Sequence, residues 1–147
     1  MPGIIVGIDG SDHSRLALAW AMREAVQHHL PLTVITVRPA PVRPATEIYW
    51  GIHSYQESGQ DLEFTQKAVR QFVDTAAKEI GGTAPDITVS VTIGDAAEEL
   101  IRASSDADML VVGSRGGGGF AKLLMGSVSS QVTHHAACPV VVVPGSR

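Results

Sequence analysis

Five short stretches rich in aliphatic and β-branched residues, at 4–8, 32–37, 88–93, 109–112 and 140–143, recur along the sequence, and each interval between them holds a segment with helical patterning. A short apolar run bounded by turn residues reads as a strand. Strands that are apolar on both faces and each followed by a helix require a parallel sheet covered on both sides, because every crossover returns the next strand in the same direction. The order βαβαβαβαβ therefore predicts a doubly wound α/β fold, a five-stranded parallel sheet flanked by helices. At 147 residues with 44% hydrophobic content, the chain has the size and apolar material of one domain, 1–147, and no repeat or low-complexity linker divides it.

The helices announce themselves by spacing. Leu16, Ala17, Trp20, Ala21 and Ala25 recur at four-residue steps within 14–29, with Ser11 or Asp12 as the N-cap. Leu62, Val69, Phe72, Val73, Ala76 and Ile80 mark one face of a second helix, which Gly81-Gly82 ends. Asp95 followed by Glu98 has the layout of a capping box and opens a third helix through Leu100 and Ile101. The last helix occupies 127–136 and is halted by Pro139. The intervening stretch 38–59, with Pro39, Pro41, Pro44 and the Tyr49-Trp50 pair, is too long for a simple connection and reads as a flap or interaction loop.

Composition removes several functions. A net charge of -4, with eleven Lys and Arg scattered along the chain, gives no field that collects nucleic acid. No apolar run approaches the ~20 residues needed to cross a bilayer, and the first eight residues lack the pattern of a secretory signal, so a cytoplasmic protein without membrane contact is expected. The single cysteine, Cys138, permits neither an internal disulfide nor a sulfur-based zinc cluster and is expected to be a buried structural thiol. The pairs His28-His29 and His134-His135 are adjacent on helices, about 100° apart around the axis, and read as residues favouring a helix C-terminus rather than as metal ligands.

Two strand ends have unusual composition: Gly7-Ile8-Asp9-Gly10-Ser11, and Gly113-Ser114-Arg115-Gly116-Gly117-Gly118-Gly119. In an open parallel sheet, ligands bind beyond the carboxyl ends of the strands where the strand order reverses. Five glycines in seven residues let backbone amides approach an anion with no Cβ in the way, so the second segment reads as a phosphate cradle. Downstream, Gly126-Ser127-Val128-Ser129 opens the last helix and offers free amides, the positive end of the helix dipole and two hydroxyls. Asp9 has two readings, a turn-forming Asp-Gly or a carboxylate reaching ribose hydroxyls, the adenine amine or a bridging Mg²⁺. Lys122, between Ala121 and Leu123, does not complete a Walker A loop, and the first turn, with only Gly7 and Gly10, does not complete a dinucleotide fingerprint. Fast phosphoryl transfer needs a placed lysine, a metal carboxylate and a group orienting the nucleophile, and only the carboxylate, Asp9, is visible, so no enzyme is expected.

The spacing Gly113, two residues, Gly116, nine residues, Gly126-Ser127 resembles the phosphate-binding signature of the ATP-binding branch of the universal stress protein family. The Gly-Ile-Asp-Gly-Ser strand end and the terminal Cys-Pro-Val-Val-Val-Val-Pro extend the resemblance over essentially the whole chain. It implies strand order 3-2-1-4-5, of the adenine nucleotide α-hydrolase-like or Rossmann-like kind, and ATP as ligand. It places Gly7, Ile8 and Asp9 beside the nucleoside and Val37 against the adenine. Val112, Gly113, Arg115 and Gly116 would surround ribose and phosphates, and Gly126, Ser127, Val128 and Ser129 would bind phosphates from the helix side. It also implies a homodimer paired through 140–143. The function implied is a nucleotide-dependent stress-response or signalling module with little or no turnover and an unidentified regulatory partner. The alternatives are a slow ATPase or self-phosphorylating enzyme using Ser127 or Ser129 with Asp9 and Mg²⁺, a cyclic AMP binder, and an FMN binder.

Overall fold

Strands and helices alternate as the hydrophobic pattern requires in the computed structural model, which describes residues 3–39, 59–115 and 126–145. In chain order they are β1 (Ile4–Gly7), α1 (Asp12–His28), β2 (Leu32–Arg38), α2 (Gly59–Ile80), β3 (Ile87–Ile93), α3 (Ala96–Ser104), β4 (Met109–Gly113), α4 (Ser127–His135) and β5 (Val140–Val143). The sheet has the order β3-β2-β1-β4-β5, and every neighbouring pair is parallel. This is the predicted doubly wound arrangement. Of the loop expected at 38–59, Arg38 belongs to β2 and Gly59 opens α2, while 40–58 lies outside the described residues.

Alternation along the strands divides the interior into two layers. On one face, Ile4, Val6, Leu32, Val34 and Val111 are essentially sealed from solvent and pack with Ala17, Leu18, Ala21, Met22 and Ala25 of α1 and Val69, Val73 and Ala76 of α2. The alanines at four-residue steps let α1 lie close to the sheet. On the other face, Ile35, Leu110 and Val112 pack with Leu100 of α3 and Val132 of α4. Burying each large aliphatic side chain contributes about 1.5–3 kcal/mol. Register follows from these contacts: Val6 stands beside Val34 and Val111, and Val111 beside Val141.

Helix ends agree with the sequence in cause, with small shifts in position. Ser11 is the N-cap of α1, its hydroxyl accepting from Ser14 N at 3.2 Å. Asp95 caps α3, accepting from Glu98 N at 3.0 Å. Gly81 and Gly82 end α2 with φ of 72° and 74°, a left-handed backbone that glycine adopts without penalty. Helix α1 stops one residue earlier than expected, because His29 itself takes the left-handed cap conformation, φ 55° and ψ 42°, and its amide returns to Ala25 O and Val26 O. Ile8 falls outside β1, yet its amide continues the ladder to Ile35 O at 3.0 Å.

Candidate functional site

After β1 the chain winds outward through β2 to β3, then crosses back to lay β4 on the other side of β1. The reversal opens a crevice between the carboxyl ends of β1 and β4, where ligands of such sheets bind. A glycine stands at each of these ends, and both are needed for packing. A Cβ on Gly7 would come within 2.8 Å of Leu100 Cδ1, and one on Gly113 within 3.0 Å of His13 O. The strand ends are thus pressed against α3 on one side and the first turn of α1 on the other.

The β1–α1 turn is built from its own groups. Asp9 is exposed, and its Oδ1 accepts from Ser11 N at 2.9 Å, which realises the turn-forming reading of Asp-Gly. Gly10 has φ 84°, and Ser14 Oγ donates to Ser11 O at 2.9 Å. Ile8 contributes main chain rather than side chain here. Its side chain is buried in the layer beneath α1, while its carbonyl accepts from Thr36 Oγ1 at 3.3 Å.

Across the crevice, Ser114 ties three elements together. Its amide donates to Val143 O at 2.9 Å, and its carbonyl accepts from Gly126 N at 2.6 Å and from Ser129 Oγ at 3.2 Å. Ser129 Oγ also reaches Gly126 O at 3.0 Å, so this buried hydroxyl spends its proton on the main chain and braces the start of α4. Helix α4 has Gly126 at its N-cap, no side-chain cap bond and no acidic residue in its first turn. The amides of Ser127, Val128 and Ser129 precede any carbonyl that a helix could offer them. Ser127 is exposed there and Val128 half-buried.

Of the remaining expected site residues, Val112 is buried just beneath the end of β4 and Arg115 is half-buried after it. Val37 is half-buried at the end of β2, in register with Thr92. Gly116 lies outside the described residues, as does Lys122. The structure therefore gathers Gly7, Asp9, Gly113, Arg115 and the Gly126–Ser129 segment at one end of the sheet, with Val37 one strand away. Sequence reasoning passed over Ser114 and His13. Ser114 sits inside the glycine signature, which was the available signal; nothing in the sequence marks His13, whose imidazole occupies the space that a Cβ on Gly145 would fill.

The other candidates have structural partners. His28 Nε2 lies 3.1 Å from Glu24 Oε2, and His134 Nδ1 lies 2.8 Å from Ser130 O. Among the described residues, no three His, Cys, Asp or Glu side chains converge to hold a metal ion, and no helix is long and apolar enough to cross a membrane. Cys138 is half-buried rather than fully buried; desolvation, with the Asp108 carboxylate adding to it, pushes its thiol above the usual range and keeps it protonated. An open groove of about 940 Å³ lies at the opposite, amino end of the strands, lined by Ile5, His29, Pro31, Pro85 and Asp106 among others. It is remote from the crevice and carries none of the glycine-rich segments.

Comparison with known proteins follows the same lines. The sequence profile of the universal stress protein family matches residues 2–144. A universal stress protein of Mycolicibacterium smegmatis is 38% identical over 148 residues, covering 97% of this chain and 48% of its own length. The chain spans about half the length of the curated relatives it matches. Among solved structures, UspA from Lactobacillus plantarum superposes with TM-score 0.76 at 23% identity, covering 97% of both chains. A universal stress protein in complex with cAMP gives TM-score 0.64 at 27% identity over 99% of this chain and 98% of its own. One from Archaeoglobus fulgidus in complex with dAMP gives 0.66 at 19% identity over 97% of both.

Proposed function

The chain belongs to the universal stress protein family, and we propose that residues 1–147 form a nucleotide-binding unit of it that holds ATP in the crevice between β1 and β4. The observation that carries this reading is the start of α4: a helix N-terminus with no side-chain cap, fixed by Ser114 to the end of a strand at the switch point. Three amides that no described side chain caps, and the positive end of the helix dipole, suit a phosphate group. Gly113 permits the close packing behind it, and Arg115 supplies a cation beside it. The structures with cAMP and dAMP support an adenine nucleotide as the class of ligand.

In this reading the amides of Ser127, Val128 and Ser129 hold phosphate oxygens, Gly126, whose own amide is bonded to Ser114 O, leaves room for their close approach, the Ser129 hydroxyl keeps the helix start in place, and Val37 contributes apolar surface to the base. A bound ATP would supply the negative charge that the helix start lacks. Asp9, exposed in the β1–α1 turn, is the carboxylate of this reading that meets the ribose or an accompanying Mg²⁺. The unit acts by binding, in a cytoplasmic stress-response or signalling role, with little or no turnover, as a homodimer joined through the edge strand β5. A second reading, a cyclic AMP binder, is favoured by the cAMP complex of the 27% identical structure.

Identification of any nucleotide co-purifying with the protein, followed by calorimetric titration with ATP, ADP, cyclic AMP and FMN, tests these assignments. ATP tighter than cyclic AMP supports the first, and the reverse order selects the second. Turnover of ATP near the ~1 per second of ordinary enzymes would overturn the assignment as a binding module. Light scattering that shows a monomer at micromolar concentration would overturn the homodimer.

A further inference from the structure

The end of β3 contains a polar group that the fold leaves unused. Thr92 Oγ1 is shut off from solvent and makes no hydrogen bond. Buried hydroxyls nearly always have a partner, and an unpaired one works against folding. Its counterparts show the rule: Thr36 Oγ1 donates to Ile8 O, Ser129 Oγ to Ser114 O, and Ser104 Oγ to Ile101 O while accepting from Ala137 N.

Its place in the sheet suggests what the hydroxyl is for. Thr92 stands in register with Val37, and the β2–β3 ladder runs on to a bond of 2.8 Å from Gly94 N to Arg38 O. Val89 and Val91 pack in the layer under α1 and α2, so Thr92, odd against even along the strand, belongs to the opposite face with Val37 and Val112. That face carries α3 and α4. Thr92 and the open start of α4 therefore mark the two ends of one row of strand termini, three inter-strand steps or about 14 Å apart. A nucleotide, with its base at one end and its phosphates at the other, suits such a row.

Resting on the nucleotide reading above, we propose that Thr92 is the hydrogen-bonding residue for the base. Its hydroxyl pairs with the polar edge of adenine, while Val37 beside it supplies the apolar contact. A hydroxyl both donates and accepts, so it can meet a ring nitrogen or the exocyclic amine. One staggered step about χ1 repositions Oγ1 on the same Cβ without moving the backbone.

The test compares wild type, Thr92→Val and Thr92→Ser by calorimetry against ATP and against inorganic tripolyphosphate, which has no base. Valine keeps the shape of threonine and removes only the hydroxyl. Thr92→Val is expected to bind ATP about 5-fold more weakly, the worth of one neutral hydrogen bond, with tripolyphosphate affinity unchanged and Thr92→Ser close to wild type. Without ligand, Thr92→Val should melt at or above the wild-type temperature, because it removes an unpaired buried group. Equal ATP affinity in Thr92→Val and wild type would overturn the assignment, as would parallel losses for ATP and tripolyphosphate. A wild-type protein that binds no adenine nucleotide would instead defeat the nucleotide reading on which this one depends.

Discussion

Two of the helix starts are finished by their own side chains and a third is not. At α1 the Ser11 hydroxyl accepts from Ser14 N and Asp12 adds a negative charge in the first turn; at α3 Asp95 accepts from Glu98 N, with Glu98 and Glu99 close behind. At α4 the cap is Gly126, which has nothing to offer, and no acid follows. All three need electron-rich partners for the same first-turn amides. The first two obtain them locally and are complete as folded elements. The third is held in position by the main chain of Ser114, so its orientation is fixed while, among the described residues, no side chain caps its amides. In the proposed reading the same backbone feature serves folding in one place and recognition in another, and the neighbouring side chains decide which.

Supplying α4 with the cap it lacks tests this contrast most severely. Gly126 has φ −72° and ψ 165°, ordinary cap geometry for aspartate. Gly126→Asp should leave the fold intact or a few tenths of a kcal/mol more stable. Its carboxylate would occupy the amides and repel phosphate by about 4 kcal/mol per charge pair at 4 Å near a protein surface, so ATP affinity should fall at least 100-fold. Calorimetry alongside thermal melting reads both; undiminished ATP binding would show that α4 does not hold the phosphates.

Gly113→Ala places a Cβ against the His13 main chain and should cost about 1–3 kcal/mol, seen as a drop of several degrees in melting temperature together with weakened ATP binding. Asp95→Ala removes a cap that serves only folding, so it should cost about 1 kcal/mol and leave ATP affinity unchanged. Altered binding in that variant would dissolve the distinction between the two kinds of helix start. The smallest change, Ser129→Ala, removes the brace on Ser114 and Gly126 and should cost about 1 kcal/mol or less, with a modest loss of ATP affinity.

The architecture was readable in the sequence because its causes are local and periodic. Val140–Val143 reads as a strand at an edge and is found at one; the four-residue steps of Ala17, Ala21 and Ala25 predict the buried face of α1. Gly7 and Gly113 stand at the ends of β1 and β4 for an equally local reason, since their close approach to Leu100 and His13 demands glycine. What stayed hidden depends on contacts between distant segments. Ser114 matters because it meets Val143 and Gly126, and the orphaned hydroxyl of Thr92 is visible only once the hydrogen bonds of the folded chain are laid out. His29 in a left-handed cap was missed because histidine is an uncommon residue there and glycine is the usual signal.

The bonds of Ser114 also set an order of events during synthesis. Its carbonyl waits for Gly126, and its amide waits for Val143, so the start of α4 is not fixed until β5 has docked. Chains elongate at about 5–20 residues per second, so a nascent chain spends roughly 2–6 s with β1 to β4 already made and the start of α4 not yet fixed. Under the function proposed above, nucleotide binds only after that interval. In the proposed reading, a cell short of ATP meets newly made copies without their ligand at the moment when the edge strand has just taken its place.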